Sequence, residues 1–268
     1  PVIVFSHGNQ GIREQSVFLT EDLARRGYVV VAPNHEHNTF LDYDGGLLAQ
    51  VAQDRPRLLT TLLNRIEAPA DEDPPFLSTH LDLSRIGAAG HSFGAYTMLA
   101  VAGAPPQSGA ALIEFCNANP NDFLCKLVDL NAEQPEPAGD DRIKAIVPIS
   151  PAGRLIFGAD GLAKIDVPVL IVAGKADQLT TFAEEAKPVF DALNPPKYLW
   201  SLEDGAHFTF TNICEIAALL PDDVKSRFGI ACLPDTPLAI ETAHALTQHI
   251  VGRFFDRYLR DDATADDD

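Results

Sequence analysis

Long apolar runs are missing from this chain. No stretch of its 268 residues reaches the roughly 20 residues that a membrane-spanning helix needs, so no integral membrane segment is expected. Basic residues are scarce as well: 20 Lys and Arg stand against 38 Asp and Glu, a formal net charge of −18. Such a surface repels nucleic acid and anionic membranes, and neither is expected as a partner. Part of the excess sits in the tail Asp261-Asp262-Ala263-Thr264-Ala265-Asp266-Asp267-Asp268, whose composition predicts disorder over 261–268. There is no internal repeat and no linker that divides the chain. Residues 1–260 therefore read as one domain with ample sequence for a core. No signal peptide is visible. Pro1 opens directly into a strand without an initiating Met, so residues upstream are expected, and an export signal removed before Pro1 fits that expectation.

Cysteine is limited to four residues, in two local pairs, Cys116/Cys125 and Cys214/Cys232. Both pairs lie in irregular stretches with little core of their own. Disulfides Cys116–Cys125 and Cys214–Cys232 would staple those stretches. They favour a secreted or periplasmic protein, whereas four free thiols would favour the cytoplasm.

What the chain does have is an alternation of short apolar runs with amphipathic stretches. Residues 2–5, 28–32, 85–91, 143–149, 167–173 and 197–202 read as strands. Residues 16–26, 47–66 (interrupted or kinked near Pro56), 93–102, 181–193 and 236–259 read as helices. The alternation predicts an α/β fold, with a mostly parallel central sheet and helices on both faces. Residues 103–141 and 211–234 read as inserts.

Gly90-His91-Ser92-Phe93-Gly94 fits the G-x-S-x-G nucleophile elbow. A chance match to so short a pattern is common, and the strand before it and helix after it give it weight. The turn between them must place Ser92 in strained backbone angles. Gly90 and Gly94 flank it because a Cβ there would collide with the opposite limb. The Phe93 N–H then starts a helix and can face an anion. In parallel sheets the chemistry gathers at the carboxyl ends of the strands. Asn9, Ser92, Asp177 and His207 each directly follow a predicted strand.

A serine hydroxyl is a poor nucleophile and needs an adjacent base. His207, in the turn after the last strand, is the best candidate. His91 adjoins Ser92, but its side chain is expected to point away along the strand; His244 and His249 read as surface or packing residues. The base needs an acid to fix its tautomer. Asp177 is preferred over Asp204, which is nearer to His207 in sequence but reads as the rim of the turn; Asp160 is third. The second oxyanion donor is expected to be the Asn9 N–H, beside that of Phe93, although a plain turn would also explain Gly8. His35-Glu36-His37 places two imidazoles on one side of an extended segment, but no further ligand cluster accompanies them. No metal is expected, and a pocket-edge loop is the preferred reading.

Phe5-Ser6-His7-Gly8, Gly90-His91-Ser92-Phe93-Gly94 and Gly205-Ala206-His207-Phe208 together resemble the α/β-hydrolase group of platelet-activating-factor acetylhydrolase-like and bacterial dienelactone-hydrolase-like esterases. The likeness runs from Val2 to about Leu259, and microbial polyester hydrolases and cutinases share the layout. It implies an α/β-hydrolase fold, a Ser92–Asp177–His207 triad and no cofactor. Three departures stand out. Dienelactone hydrolases use a cysteine where this chain has Ser92, which speaks against their reaction. Ala95 stands where the acetylhydrolases usually have a further glycine, and the fold's usual opening strands do not precede Pro1.

Residues and resemblance together lead to the expectation of a serine hydrolase that cleaves neutral short- to medium-chain carboxylic esters, small or polymeric, through an acyl-enzyme. The alternatives are an acetylhydrolase-type phospholipase and a polyester hydrolase; a non-catalytic binding module on the same fold is the reading from a different class. The apolar residues Leu112, Ile113, Phe115, Phe123, Leu124, Phe208, Phe210 and Ile213 are candidate walls of the acyl pocket, and packing of the inserts would use the same residues.

Overall fold

The computed structural model describes residues 1–70, 80–107, 110–128, 138–219, 222 and 240–262. The first strand, β1 (Val2–Ser6), is buried along its whole length. Its side chains alternate between two cores: Val2 and Val4 enter one, Ile3 and Phe5 the other. A strand buried on both faces reads as a continuous apolar run for this reason. Helix α1 (Val17–Arg25) buries Leu19 and Leu23 and ends before Gly27, which takes φ 88°. β2 (Val29–Val31) follows.

Helix α2 (Leu48–Glu67) turns a row of Leu48, Val51, Ala52, Arg55, Leu59, Leu63 and Ile66 inward. The helix runs through Pro56 without the expected interruption; proline removes one N–H bond there, and the packed face holds the rest of the ladder. β3 (Ile86–His91) leads into α3 (Phe93–Val101), every residue of which is buried. In the stretch 103–141, α4 (Ala110–Ala118) and α5 (Phe123–Lys126) are joined by the expected Cys116–Cys125 disulfide.

β4 (Ile143–Ile149) is followed by a helix with no counterpart in the sequence reading, α6 (Arg154–Leu162). Gly158 sits inside it at φ 60°, so the helical path is broken and its 3.6-residue period is lost. After β5 (Val169–Gly174), the helix expected over 181–193 is split into a π-turn, Phe182–Ala186, and α7 (Lys187–Ala192). β6 (Lys197–Leu202), a 3₁₀ turn at His207–Phe210, α8 (Ile213–Ala218) and α9 (Ile240–Arg260) complete the described chain. Cys214 is disulfide-bonded; its expected partner Cys232, most of the stretch 211–234 and residues 263–268 of the expected tail lie outside the described residues. Among those residues no helix is long and apolar enough to cross a membrane.

The six strands form one sheet in the order β2-β1-β3-β4-β5-β6. Every neighbouring pair is parallel, where the sequence predicted a mostly parallel sheet. Helices α1 and α9 share one core with the sheet; α2, α3, α6 and α7 share the other. From β1 the chain steps outward to β2, then returns to β3 on the opposite side of β1. Connections that leave two adjacent strands in opposite directions open a crevice at their carboxyl ends.

Candidate active site

Ser92 stands at the carboxyl end of β3, beside that crevice, with φ 57° and ψ −115°. Such angles cost a non-glycine residue roughly 1–3 kcal/mol and need the surroundings to hold them. The Ser92 N–H donates to the Ile149 carbonyl at 2.8 Å, and the Ser92 carbonyl accepts from the Ala95 and Tyr96 N–H groups at 2.9 and 3.1 Å. A Cβ on Gly90 would lie 2.6 Å from the Gly94 carbonyl carbon, and one on Gly94 would strike the Ser6 carbonyl of β1. The turn is therefore closed by β1 as well as by its own two limbs. It places the Phe93 N–H in the first turn of α3, where no intrahelical acceptor exists.

Asp177 and His207 come from different strand ends and meet. Gly174 permits this: a side chain there would collide with the Gly205 backbone. The two loops are laced by Lys175 N–H to Leu202 O, 2.9 Å, and Ala176 N–H to Gly205 O, 3.0 Å. His207 Nδ1 lies 2.7 Å from Asp177 Oδ2, with side chains 6% and 1% exposed. Asp177 Oδ1 accepts the Leu179 and Thr180 N–H groups at 2.8 and 2.9 Å. Thr180 Oγ1 lies 3.0 Å from Asp177 Oδ2 and 3.2 Å from His207 Nδ1, and donates to the Ser150 carbonyl at 3.1 Å. Burial opposes ionisation of Asp177. The hydrogen bond and charge of His207, with the two backbone donors, outweigh it and hold the carboxyl below the usual carboxylate range. Asp204 and Asp160 are both exposed to solvent.

His91 departs from expectation. Its ring does not point away from the site: it lines the same cavity as Ser92 and lies 4.7 Å from the His207 ring. Nε2 donates to the His207 carbonyl at 2.8 Å, and Nδ1 accepts from Gln15 Nε2 at 2.9 Å. Gln15 Oε1 in turn accepts the Gly8 N–H at 2.9 Å. Burial, then the neighbouring His207, push the His91 pKa down to about 3, so it is neutral with its proton on Nε2. It ties the loop after β1 to the loop after β6. Sequence gave no sign of this, because the two bonds of His91 reach 76 and 116 residues along the chain.

Asn9 is half-buried and its Oδ1 accepts from Asn38 Nδ2 at 2.8 Å. His35 is buried and lies 2.9 Å from Ser6 Oγ through Nε2, while Glu36 and His37 are exposed. The three do not converge, and among the described residues no group of three His, Cys, Asp or Glu side chains could hold a metal. His244 is buried, stacked at 3.7 Å on Phe18, and His249 is exposed.

Ser92, His207 and Asn9 line one cavity of about 340 Å³. No hydrogen bond joins Ser92 Oγ to the His207 ring among the described residues; such bonds are often long before substrate binds. Of the candidate wall residues, Phe123, Phe208 and Ile213 line the cavity. Phe210 belongs to one core, Leu124 packs against the other, Leu112 is buried, Phe115 is half-buried and Ile113 is exposed. Phe40 and Leu179 line it too; Leu179 is 62% exposed at the mouth. Both belong to polar loops, so no apolar period marked them. The site thus offers a hydroxyl on a strained turn and an imidazole anchored by a buried carboxylate at an apolar cavity that Asn9, but not Phe93, lines. A scan against protein-family models gave no match, and a search of curated proteins found none either.

Proposed function

We propose that this protein is a serine hydrolase of carboxylic esters with an α/β-hydrolase fold. The observation that carries the reading is the combination of Ser92 at φ 57° on a strand-to-helix turn with His207, which lines the same cavity and is held from behind by the buried Asp177. A strained serine is retained at functional sites, where the strain exposes Oγ. The strand order, with β1 flanked by β2 and β3, supports the fold assignment.

In the proposed mechanism Ser92 Oγ attacks the ester carbonyl while His207 Nε2 takes its proton. Asp177 holds the Nδ1 proton and stabilises the imidazolium. The carbonyl oxygen becomes an oxyanion and receives the Phe93 and Asn9 N–H groups. Each such donor is worth about 3–4 kcal/mol in transition states of this kind. Collapse breaks the bond to the alkoxy group, which leaves as alcohol with the His207 proton. Water, deprotonated by His207, then attacks the acyl-enzyme and releases the acid and Ser92. No step calls for a cofactor. A binding module of this fold would have no use for a strained serine and a carboxylate-anchored imidazole on one cavity.

The apolar wall of Phe40, Phe123, Phe208 and Ile213 supports neutral substrates of short to medium acyl length. Each methylene buried is worth about 0.8 kcal/mol, or roughly a threefold to fourfold rise in kcat/KM until the cavity fills. A series of p-nitrophenyl esters tests this: kcat/KM should climb and then fall before long acyl chains. A steady climb to long chains would favour the phospholipase alternative instead. The Cys116–Cys125 disulfide supports a secreted or periplasmic location.

A further inference from the structure

Arg55 sits in the middle of α2 and is 1% exposed, the largest of the fully buried side chains. Among the described residues no carboxylate pairs with it. A buried cation without a counter-ion is expensive, and its hydrogen bonds indicate what it serves. Nη1 donates to the His7 carbonyl at 2.7 Å and to Ser6 Oγ at 3.3 Å. Nη2 donates to the Gly8 carbonyl at 3.1 Å and to Asn38 Oδ1 at 2.7 Å. The guanidinium also lies 4.3 Å from the centre of the Phe93 ring. Burial pulls its pKa down from the usual guanidinium value. Arginine does not give up its proton in proteins, and carbonyl oxygens replace the lost water, so the charge is kept.

The Gly8 carbonyl and the Asn9 N–H belong to one peptide unit, and that peptide is trans. Its two ends point in opposite directions. A second donor reaches the same carbonyl: His7 Nδ1 at 2.7 Å, while His7 Nε2 accepts the His35 N–H at 3.1 Å. Two donors on the carbonyl draw electron density toward it and make the N–H at the far end a stronger donor. Asn38, held by Arg55 through Oδ1, donates through Nδ2 to Asn9 Oδ1 and fixes the side-chain end of the same residue. The Phe93 ring under the guanidinium belongs to the residue that carries the other oxyanion N–H.

We propose that Arg55 is the positioning residue of the oxyanion site. Its guanidinium orients and polarises the Gly8–Asn9 peptide and seats Phe93, so that one buried charge sets both N–H donors. The proposal rests on the ester-hydrolase reading, in which those N–H groups receive the oxyanion. It differs from a packing role in what it moves: transition-state stabilisation rather than substrate binding.

The test uses Arg55→Lys and Arg55→Met in the full chain. In both, kcat for p-nitrophenyl butyrate should fall, about 100-fold in Arg55→Met and about tenfold in Arg55→Lys, which keeps the charge but loses the planar fork. KM should stay within about threefold. The inhibition constant of a trifluoromethyl ketone, which binds as an oxyanion adduct, should rise in parallel with the loss in kcat/KM. If Arg55→Met fails to fold, Arg55→Lys decides. A folded variant whose kcat and ketone affinity stay within threefold of wild type overturns the proposal, as does a loss confined to KM. Failure of the underlying reading looks different: wild-type protein would then show no ester turnover at all.

Discussion

Replacing Asp177 by Asn probes how the site fixes the tautomer of His207. Asp177 Oδ1 is committed to two backbone donors, the Leu179 and Thr180 N–H groups. An amide at this position must keep its oxygen there, since its NH₂ cannot accept from them. The NH₂ is thereby turned toward His207 Nδ1, where Oδ2 now lies at 2.7 Å. An N–H facing Nδ1 forces that nitrogen to accept, which moves the imidazole proton to Nε2. The base is then protonated on the side that must take the Ser92 proton. In serine enzymes of this design the wrong tautomer costs about 10⁴-fold in kcat, or about 5.4 kcal/mol. The substitution is isosteric, so the fold should persist. Hydrolysis of p-nitrophenyl butyrate, with near-ultraviolet circular dichroism as the folding control, measures the effect. Asp204→Asn, on an exposed residue, should leave kcat within about twofold. Retention of more than a tenth of the activity in Asp177→Asn, or an equal loss in Asp204→Asn, would refute the reasoning.

His7 and His91 are held neutral down to about pH 3, by burial first and then by Arg55 and His207 respectively. Their unfolded forms take a proton near 6.5. As pH falls through that value the unfolded state binds more protons than the native state, so stability is lost on acidification. Each should remove on the order of 3 kcal/mol by pH 4.5. His91→Gln should therefore show a smaller drop in urea-unfolding free energy between pH 7 and pH 4.5 than wild type; an equal drop contradicts the assignment. Both expected bridges should appear in the intact mass, which should be lighter by about four hydrogens before reduction than after it. Four titratable thiols in the native protein would remove the argument for an oxidising compartment.

The strands were legible in the sequence because a parallel sheet covered on both faces needs uninterrupted apolar runs. Val2 to Phe5 and Val169 to Ala173 carry that mark. Ser92, Asp177 and His207 could be picked out because each follows a predicted strand. Thr180, Gln15 and His91 could not. Their partners lie across the crevice on other strand ends, and nothing local distinguishes a polar residue that braces a loop from one that faces water. Arg55 was the least visible. A charged residue on an amphipathic helix reads as its solvated face, yet the inward row of α2 carries it into the core. The sequence pointed to four charged or polar strand-end residues; the loops that hold them in place emerge only from contacts such as Gly174 against Gly205 and Gly94 against Ser6.

The central claim is that Ser92 is a nucleophile activated by His207. A fluorophosphonate phosphonylates such a serine hydroxyl with loss of fluoride, and intact mass followed by peptide mapping locates the adduct. The account predicts one label per chain, on Ser92, complete in wild type and lost in both Ser92→Ala and His207→Ala. A folded wild-type protein that takes no label, or takes it at another residue, would contradict it.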